Sequence, residues 1–143
     1  EFLEIGCNDG VLLEKLPKAW SLIGIDPSDV AARSHDSAKH YHLLNEKFSS
    51  DLVNQEQLSE KFDIVSGSNC FAHISDLHDV FVGVHKALKC GGHFWLEVHD
   101  LEALLLSKQW DTIYHEHKVE WSAGSLHQCL LPIGFSVYAG VDF

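Results

Sequence analysis

Short apolar segments alternate with amphipathic segments along this chain, and that alternation limits its possible folds more than any other feature. Each apolar segment has the length of one buried strand, and each amphipathic segment repeats its apolar residues at helical spacing. Strands and helices that alternate through short links form a parallel sheet with helices on both faces. Because crossovers between parallel strands are right-handed, we predict a doubly wound, mostly parallel α/β sheet.

The alternation also gives approximate element boundaries. The predicted strands cover residues 2–5, 21–25, 41–44, 62–67, 93–98 and 135–141. The predicted helices cover residues 10–18, 49–59, 77–88, 101–107 and 123–131, together with one that Ser28 caps. Gly91-Gly92 is expected to stop the helix over 77–88 before the fifth strand begins. In such sheets ligands bind beyond the carboxyl ends of the strands, so we expect function to lie there.

The charge balance narrows the choice of partners. Ten Lys and Arg residues against 21 Asp and Glu residues give a net charge of −11. A surface this negative repels nucleic-acid phosphates and anionic lipid headgroups, which leaves a small molecule as the expected substrate. No apolar run approaches the roughly 20 residues that span a bilayer, and no secretion signal is visible. We therefore expect a cytoplasmic protein that binds neither nucleic acid nor membrane.

The length and the cysteines bound the organisation of the chain. A length of 143 residues favours a single domain. The chain begins inside an apolar segment at Phe2, which predicts a fragment of a longer protein, trimmed at both ends. The scattered cysteines form no Cys-x-x-Cys pair, so we expect buried reduced thiols and no metal site.

A glycine-bearing loop follows the first strand and points to a cationic ligand. Gly6 and Gly10 permit a tight turn and close approach of the backbone to a ligand. Their spacing matches neither the Gly-x-Gly-x-x-Gly dinucleotide pattern nor a phosphate loop. The loop offers the carboxylates of Glu4 and Asp9, which repel a pyrophosphate and attract a sulfonium or an amino group. A simple turn after a strand remains the alternative interpretation.

Asp26 closes the second strand, at the position where an acidic residue accepts hydrogen bonds from both ribose hydroxyls of a nucleoside. It lies about 20 residues beyond the glycine loop, as that role requires. The alternative is that Asp26 only caps the following helix. The glycine loop and Asp26 together, in strand order, are more specific than either alone.

Two motifs resemble those of class I S-adenosylmethionine methyltransferases. The first is Glu4-Ile-Gly-Cys-Asn-Asp-Gly10, and the second is Gly24-Ile-Asp-Pro-Ser28. The stretches Phe62-Asp-Ile-Val and His85-Lys-Ala-Leu-Lys-Cys-Gly-Gly92 look like later motifs of that family. The resemblance covers nearly the whole chain. It implies a Rossmann-like fold and a domain, residues 1–143, that binds S-adenosylmethionine.

The same resemblance implies a cofactor-binding role for residues in or after the first four strands. They are Glu4, Gly6, Asn8 and Gly10 for the methionine end, Asp26 and Pro27 for the ribose, the turn from Asn45 to Phe48 for the adenine, and Asn69 for the amino-acid end.

The run from Trp110 to His117 is the most unusual in the chain. Tyr114, Glu116 and His117 supply proton-transfer groups, and His73 follows the fourth strand on the same edge of the sheet. One interpretation is a general base that removes a proton from a carbon nucleophile, with a carboxylate that orients the histidine. The plainer interpretation is a polar, partly exposed loop. We treat the other histidines, His99 among them, as structural or surface residues, and no His-Glu-x-x-His pattern supports a metal.

The run Gln109-Trp-Asp-Thr-Ile-Tyr-His-Glu-His117 resembles a motif of the sugar C-methyltransferases, and Trp121-Ser122 continues the match. That family methylates carbon 3 of nucleotide-linked 4-keto-deoxysugars. The resemblance implies that His117 is the general base and that Tyr114, Glu116 and His73 are its supporting catalytic set. We leave His115 out of this set.

Departures from the family keep other functions open. Members carry an N-terminal zinc domain and a C-terminal domain, and neither is present in these 143 residues. The alternatives are a small-molecule O- or N-methyltransferase and a non-catalytic cofactor-binding domain. A dinucleotide-dependent oxidoreductase is disfavoured, because the glycine spacing is wrong.

Overall fold

Five parallel strands form the sheet of this protein, in the order β3-β2-β1-β4-β5. The computed structural model describes residues 1–138. The strands are β1 (Phe2–Ile5), β2 (Leu22–Ile25), β3 (His42–Leu44), β4 (Phe62–Ser68) and β5 (Leu88–Glu97). The helices are α1 (Val11–Lys15), α2 (Asp29–Ser34), α3 (Ser50–Gln55), α4 (Leu77–Ala87), α5 (Leu101–Ser107) and α6 (Ala123–Leu130). The prediction of a doubly wound parallel sheet is confirmed.

The chain order reverses beside β1. From β1 the chain steps outward to β2 and β3, then crosses back to β4 and β5 on the other side. Glu4 of β1 consequently lies opposite Gly24 of β2 and Ser66 of β4. At such a reversal the loops on the two sides diverge and leave a crevice at the carboxyl ends of the strands.

Helices pack on both faces of the sheet and bury two apolar clusters. The smaller cluster joins β1, β2 and α1 and consists of Phe2, Cys7, Leu13, Leu22 and Tyr41. The larger cluster lies on the other face, beneath α3, α4 and α6. Crossovers between parallel strands are right-handed, so helices whose crossovers run in opposite directions from β1 pack on opposite faces of the sheet.

Two predicted helices end earlier than expected. Helix α1 stops at Lys15, and Leu16 is already extended, because the residue before Pro17 is sterically excluded from helical geometry. Helix α3 stops at Gln55, and Gln57 lies in the left-handed region with φ of 54°. The Leu58 amide then bonds to the Val53 carbonyl, which closes the end of this helix.

The prediction that Gly91-Gly92 separates α4 from β5 is wrong. Helix α4 ends at Ala87, Leu88 is extended, and Leu88 already pairs with Phe62 of β4. Both glycines therefore lie inside β5, next to a register shift in the β4–β5 ladder. Gly91 has φ of 78°, which glycine adopts without strain, so the irregularity is absorbed within the strand.

The predicted sixth strand is not formed over residues 135–138, and residues 139–141 lie outside the described part of the chain. The Phe135 amide bonds back to the Leu130 carbonyl after the turn at Gly134. Its ring packs at 5.4 Å from His85 and 5.8 Å from Phe94. Packing of side chains against α4 and β5, and not a strand ladder, thus holds this segment.

Cys7 is buried and Cys70 half-buried, whereas Cys90 and Cys129 are exposed. The expectation of buried thiols is therefore wrong for the last two, and no disulfide joins any of the four. Within residues 1–138, no helix combines the length and the apolar character that crossing a bilayer requires.

An aromatic cluster links the sheet to the segments that follow β4 and β5. The Phe81 ring of α4 stacks on Phe71 at 5.7 Å and contacts Phe94 at 6.2 Å and Trp121 at 6.1 Å. Such pairs stabilise beyond the area that they bury. Phe71 follows β4 and Trp121 precedes α6, so this cluster fixes two loops at the carboxyl edge of the sheet.

We expect Phe81→Ala to lower the unfolding free energy by about 3–5 kcal/mol, because Phe81 is 1% exposed and its loss leaves a cavity. Leu106→Ala is the control, since Leu106 is 85% exposed on α5 and its loss should cost less than about 0.5 kcal/mol. Urea unfolding followed by circular dichroism measures both variants. Equal losses would contradict the central role of the aromatic cluster.

Candidate active site

The loop after β1 is a tight turn built on two left-handed glycines. Gly6 has φ of 72° and Gly10 has φ of 77°. A Cβ on Gly6 would meet the Cys70 Cβ at 2.7 Å, and a Cβ on Gly10 would meet the Tyr41 hydroxyl at 2.1 Å. A side chain at either position would collide with these neighbours, so glycine is required at both and the loop packs closely against Cys70 and Tyr41.

Asp26 joins the loops that follow β1 and β2. Its carboxylate is buried and accepts hydrogen bonds from the Asn8 amide at 3.0 Å and the Ser28 amide at 2.8 Å. The cap of α2 is Ser28, whose hydroxyl accepts from the Ala31 amide, as predicted. Asp26 therefore does not cap the helix, and the exposed Pro27 follows it at the rim.

Asn45 adds the loop after β3 to the same arrangement. Its side-chain amide donates to the Asp26 carbonyl at 2.8 Å and to the Ser28 carbonyl at 3.0 Å. The structure does not bring Phe48 to this edge. Phe48 is buried in the core between α3 and α4, where a Cβ on Gly83 would lie 3.0 Å from its ring. Phe48 thus serves packing.

Glu4 is the most perturbed carboxyl group at this edge. It is 7% exposed, and its Oε2 atom has no hydrogen-bond partner within residues 1–138. Burial, with smaller contributions from the charges of Asp9 and Asp26, raises the pKa of Glu4 from 4.5 to about 7. An unpartnered buried carboxyl beside two further acids favours a ligand that brings positive charge or hydrogen-bond donors.

The loop after β4 lies against the glycine loop. The Cys70 thiol donates to the Ile5 carbonyl at 3.3 Å and fills the space beside Gly6. Asn69, directly before it, has φ of 52°, and its amide bonds to the Glu97 carbonyl at 3.0 Å. Asn69 also lines the cavity described next, so the two halves of the site meet here.

A cavity of about 150 Å³, open to solvent, lies beyond β4 and β5. The sequence predicted that His73, Tyr114 and His117 lie together, and all three line this cavity. The His117 ring centroid is 4.9 Å from that of His73 and 4.3 Å from that of Tyr114. The structure therefore brings three of the four predicted catalytic side chains together, with His73 and Tyr114 beside the His117 imidazole.

The structure does not bring the Glu116 carboxylate to His117. The Glu116 side chain is 64% exposed, and its nearest ionisable neighbour is His115 at 3.9 Å. Only the Glu116 backbone carbonyl reaches the cluster, 3.2 Å from His73 Nδ1. Because Glu116 and His117 are adjacent in an irregular segment, their side chains diverge.

Sequence reasoning missed two residues of this cavity. Glu120 Oε1 lies 2.9 Å from His117 Nδ1, and the side chains are 15% and 7% exposed. The sequence signal for this pair was that Glu120 follows His117 by three residues, a spacing that brings two side chains together only in a turn or helix. Nothing in the sequence predicted a turn at this position. His99, treated as structural, also lines the cavity, with its ring 5.9 Å from that of His117.

The clustered histidines do not amount to a metal centre. Over residues 1–138, no three His, Cys, Asp or Glu side chains converge closely enough to hold a metal ion. The arrangement instead offers an oriented imidazole, a phenol and a second imidazole around one space, which is suited to proton transfer.

Comparison with known proteins places this geometry in a family. A family model described as a methyltransferase domain matches residues 1–139. The chain is 35% identical over 129 residues to the C-methyltransferase NovU of Streptomyces niveus, covering 87% of this chain and 30% of NovU. It is 28% identical over 102 residues to the human mitochondrial ubiquinone biosynthesis O-methyltransferase, covering 67% of this chain and 28% of that protein. The chain thus spans less than a third of either relative.

A solved structure shows the same fold. The SAM dependent methyltransferase from Archaeoglobus fulgidus superposes with a TM-score of 0.72 at 18% identity. The superposition covers 94% of this chain and 60% of that one. The Rossmann-like sheet of five parallel strands is therefore an established architecture.

We expect Glu4→Gln to stabilise the ligand-free protein by an amount that grows with pH. The neutral form of Glu4 favours folding below pH 4.5, and this contribution is lost as pH rises through about 7. The difference in unfolding free energy between variant and wild type should therefore increase from pH 5 to pH 8, and urea unfolding at several pH values measures it. Glu46→Gln, at an exposed carboxyl, should show no such trend, and a difference independent of pH at Glu4 would contradict the assignment.

We expect Gly10→Ala to cost more stability than Gly91→Ala. Both glycines have nearly the same φ, so both variants pay the left-handed penalty of about 1–2 kcal/mol. Only the Gly10 variant also collides with Tyr41, because nothing lies within 4 Å of a Cβ on Gly91. Urea unfolding measures the two losses, and titration calorimetry with S-adenosylhomocysteine should show weaker binding for the Gly10 variant alone. Equal effects of the two substitutions would rule out the crowded loop as the cause.

Proposed function

The chain belongs to the methyltransferase domain family, and from that premise we propose that it transfers a methyl group from S-adenosylmethionine to a carbon atom of a nucleotide-linked keto-deoxysugar. The observation that carries the proposal is His117, held by Glu120 and flanked by His73 and Tyr114, in a cavity that begins beside the glycine loop.

The residues at the β1–β4 crevice fit this methyl donor. The buried carboxyl of Glu4 lacks a partner on Oε2, and Asp9 and Asp26 add negative charge close by. A sulfonium and an ammonium group satisfy such a site, whereas a pyrophosphate does not. When bound, S-adenosylmethionine supplies an electrophilic methyl carbon on positively charged sulfur, which becomes a neutral thioether when the methyl group leaves.

Each loop of the crevice has a part in holding the donor. The turn that contains Gly6, Asn8 and Gly10 holds the methionine end of the donor, with Asn69 next to it across Cys70. Asp26 retains lone pairs beyond its two backbone hydrogen bonds, and these accept from ribose hydroxyls at the rim marked by Pro27. Asn45 fixes the third loop on the adenine side.

His117 is the proposed general base. Its Nδ1 atom faces Glu120, so Nε2 remains to accept a proton from the carbon beside the substrate ketone. As the C–H bond breaks, its electron pair stays on the substrate as an enolate, the carbon nucleophile that methyl transfer would require. The Tyr114 hydroxyl or the His73 imidazole donates a hydrogen bond to the enolate oxygen. The protein contributes mainly by holding donor and acceptor in line.

The choice of carbon as acceptor is supported by NovU, which is named as a C-methyltransferase. A base that is built into the cavity adds to this support, because carbon acids must be deprotonated before they attack. The ketosugar as substrate rests on the resemblance of the Gln109 to His117 run to sugar C-methyltransferases.

Methyl transfer to oxygen is the second candidate, favoured by the similarity to a ubiquinone biosynthesis O-methyltransferase. His117 can also accept the proton of a hydroxyl group, so the base alone does not separate the two reactions. The products do. NMR of the isolated product distinguishes a new C–CH₃ group from a methyl ether.

We expect His117→Ala, in the complete protein, to lower kcat by at least about 100-fold, because general base catalysis contributes that much. Binding of S-adenosylhomocysteine, measured by calorimetry, should stay nearly unchanged, since the donor lies on the glycine-loop side. His115→Ala is the control, because that side chain is 90% exposed and outside the cavity. Full activity of the His117 variant on a nucleotide-linked 4-keto-deoxysugar would refute the assigned role.

A further inference from the structure

Glu120 contacts His117 in a way that neither the cavity nor the family resemblance requires. The Glu120 Oε1 atom lies 2.9 Å from His117 Nδ1, within ordinary hydrogen-bond range. Both side chains are largely removed from solvent, at 15% and 7% exposure. A contact this well buried is not a loose surface ion pair.

The contact bears on which nitrogen of His117 carries its proton. When Glu120 is ionised its carboxylate only accepts hydrogen bonds, and the contact then requires Nδ1 of His117 to donate. In the neutral ring the lone pair is then on Nε2, the nitrogen that remains to act as base. Without Glu120, either nitrogen could carry the proton, and a ring protonated on Nε2 has no lone pair there.

The charge of Glu120 acts in the same direction. Before proton transfer the buried pair carries one negative charge, and after His117 takes a proton the pair is neutral. Proton uptake thus cancels the net charge of the pair, whereas without Glu120 it would create an uncompensated buried charge. The ionisable groups that face His117 from neighbouring segments are His73, His99 and Tyr114, and none of them supplies this negative charge.

The segment that carries both residues is fixed at each end. The Lys118 amide donates to the Ala72 carbonyl at 2.8 Å, which ties it to the turn after β4. Trp121 follows Glu120 directly, is buried in the aromatic cluster, and accepts from the Leu101 amide at 2.7 Å. The backbone that carries the Glu120 carboxylate is therefore held in place by these contacts, as the role of positioning another side chain requires.

We propose that Glu120 is the positioning residue for His117: it holds the ring in the tautomer with free Nε2 and compensates the imidazolium that forms when the substrate proton arrives. This inference rests on the proposed function only for its catalytic consequence. The tautomer itself is a property of the ligand-free protein.

The first arm of the test is kinetic and uses the complete protein. Glu120→Gln keeps the size of the side chain and an acceptor oxygen but loses the charge, and Glu120→Ala loses both. We expect kcat to fall for the glutamine variant and to fall further for the alanine variant. The loss for the alanine variant should reach about 10²- to 10⁴-fold, as for other carboxylates that orient a histidine base. KM and the affinity for S-adenosylhomocysteine should stay close to wild type. Glu102→Gln, at an exposed glutamate on α5, should keep wild-type kcat.

The second arm is independent of activity. Nitrogen-15 NMR of labelled histidine should show His117 of the wild-type protein protonated on Nδ1, and Glu120→Ala should move it toward the Nε2-protonated form. The Glu120→Gln variant reports the loss of charge alone if the alanine variant does not fold.

The outcomes separate the two proposals. Wild-type kcat in Glu120→Gln and Glu120→Ala, with loss of activity in His117→Ala, would overturn the positioning role and leave the proposed function intact. An Nε2-protonated His117 in the wild-type protein would overturn it as well. If the wild-type protein methylates no ketosugar, the proposed function fails, and the NMR arm still decides whether Glu120 sets the tautomer.

Discussion

The site depends on one topological constraint, the reversal of strand order between β1 and β4. Parallel strands end at a common edge, and only at the reversal do the loops on either side leave room for a ligand. The loops after β1, β2 and β3 are joined by Asp26 and Asn45, whereas the loop after β4 is joined to β1 through Cys70. The crevice beside β1 and the cavity beyond β4 and β5 therefore share one edge of the sheet.

Local patterns predicted most of the architecture because strands and helices are encoded by spacing within a few residues. The exceptions are those where a distant partner decides. Gly91-Gly92 has the composition of a helix stop, yet pairing of Leu88 with Phe62 draws the strand back past both glycines. Phe48 follows β3 as an adenine neighbour should, but the gap beside Gly83 on α4 takes its ring into the core.

The difference between local patterns and distant partners also explains how far the site could be predicted from the sequence. Gly6, Gly10 and Asp26 follow the ends of strands and Glu4 lies in β1, so the sheet itself brings these predicted residues to one edge. The segment after α5 has little regular structure, so which carboxylate meets His117 depends on its turns. Glu116 was the nearer candidate in the chain, and the fold instead presents Glu120, three residues on the other side. Glu4 is thus a buried carboxyl whose Oε2 has no partner within residues 1–138, whereas Glu120 is paired with His117.

The turn after β4 has a consequence for how this scaffold can diversify. Cys70 contacts the glycine loop, and Ala72 and His73 contact the segment that bears His117, all within four residues. One short, continuous stretch of backbone thus joins the crevice beside β1 to the cavity beyond β4 and β5. Substitutions in residues 110–120 therefore alter the shape of the cavity, while the glycine loop keeps its contact with Cys70.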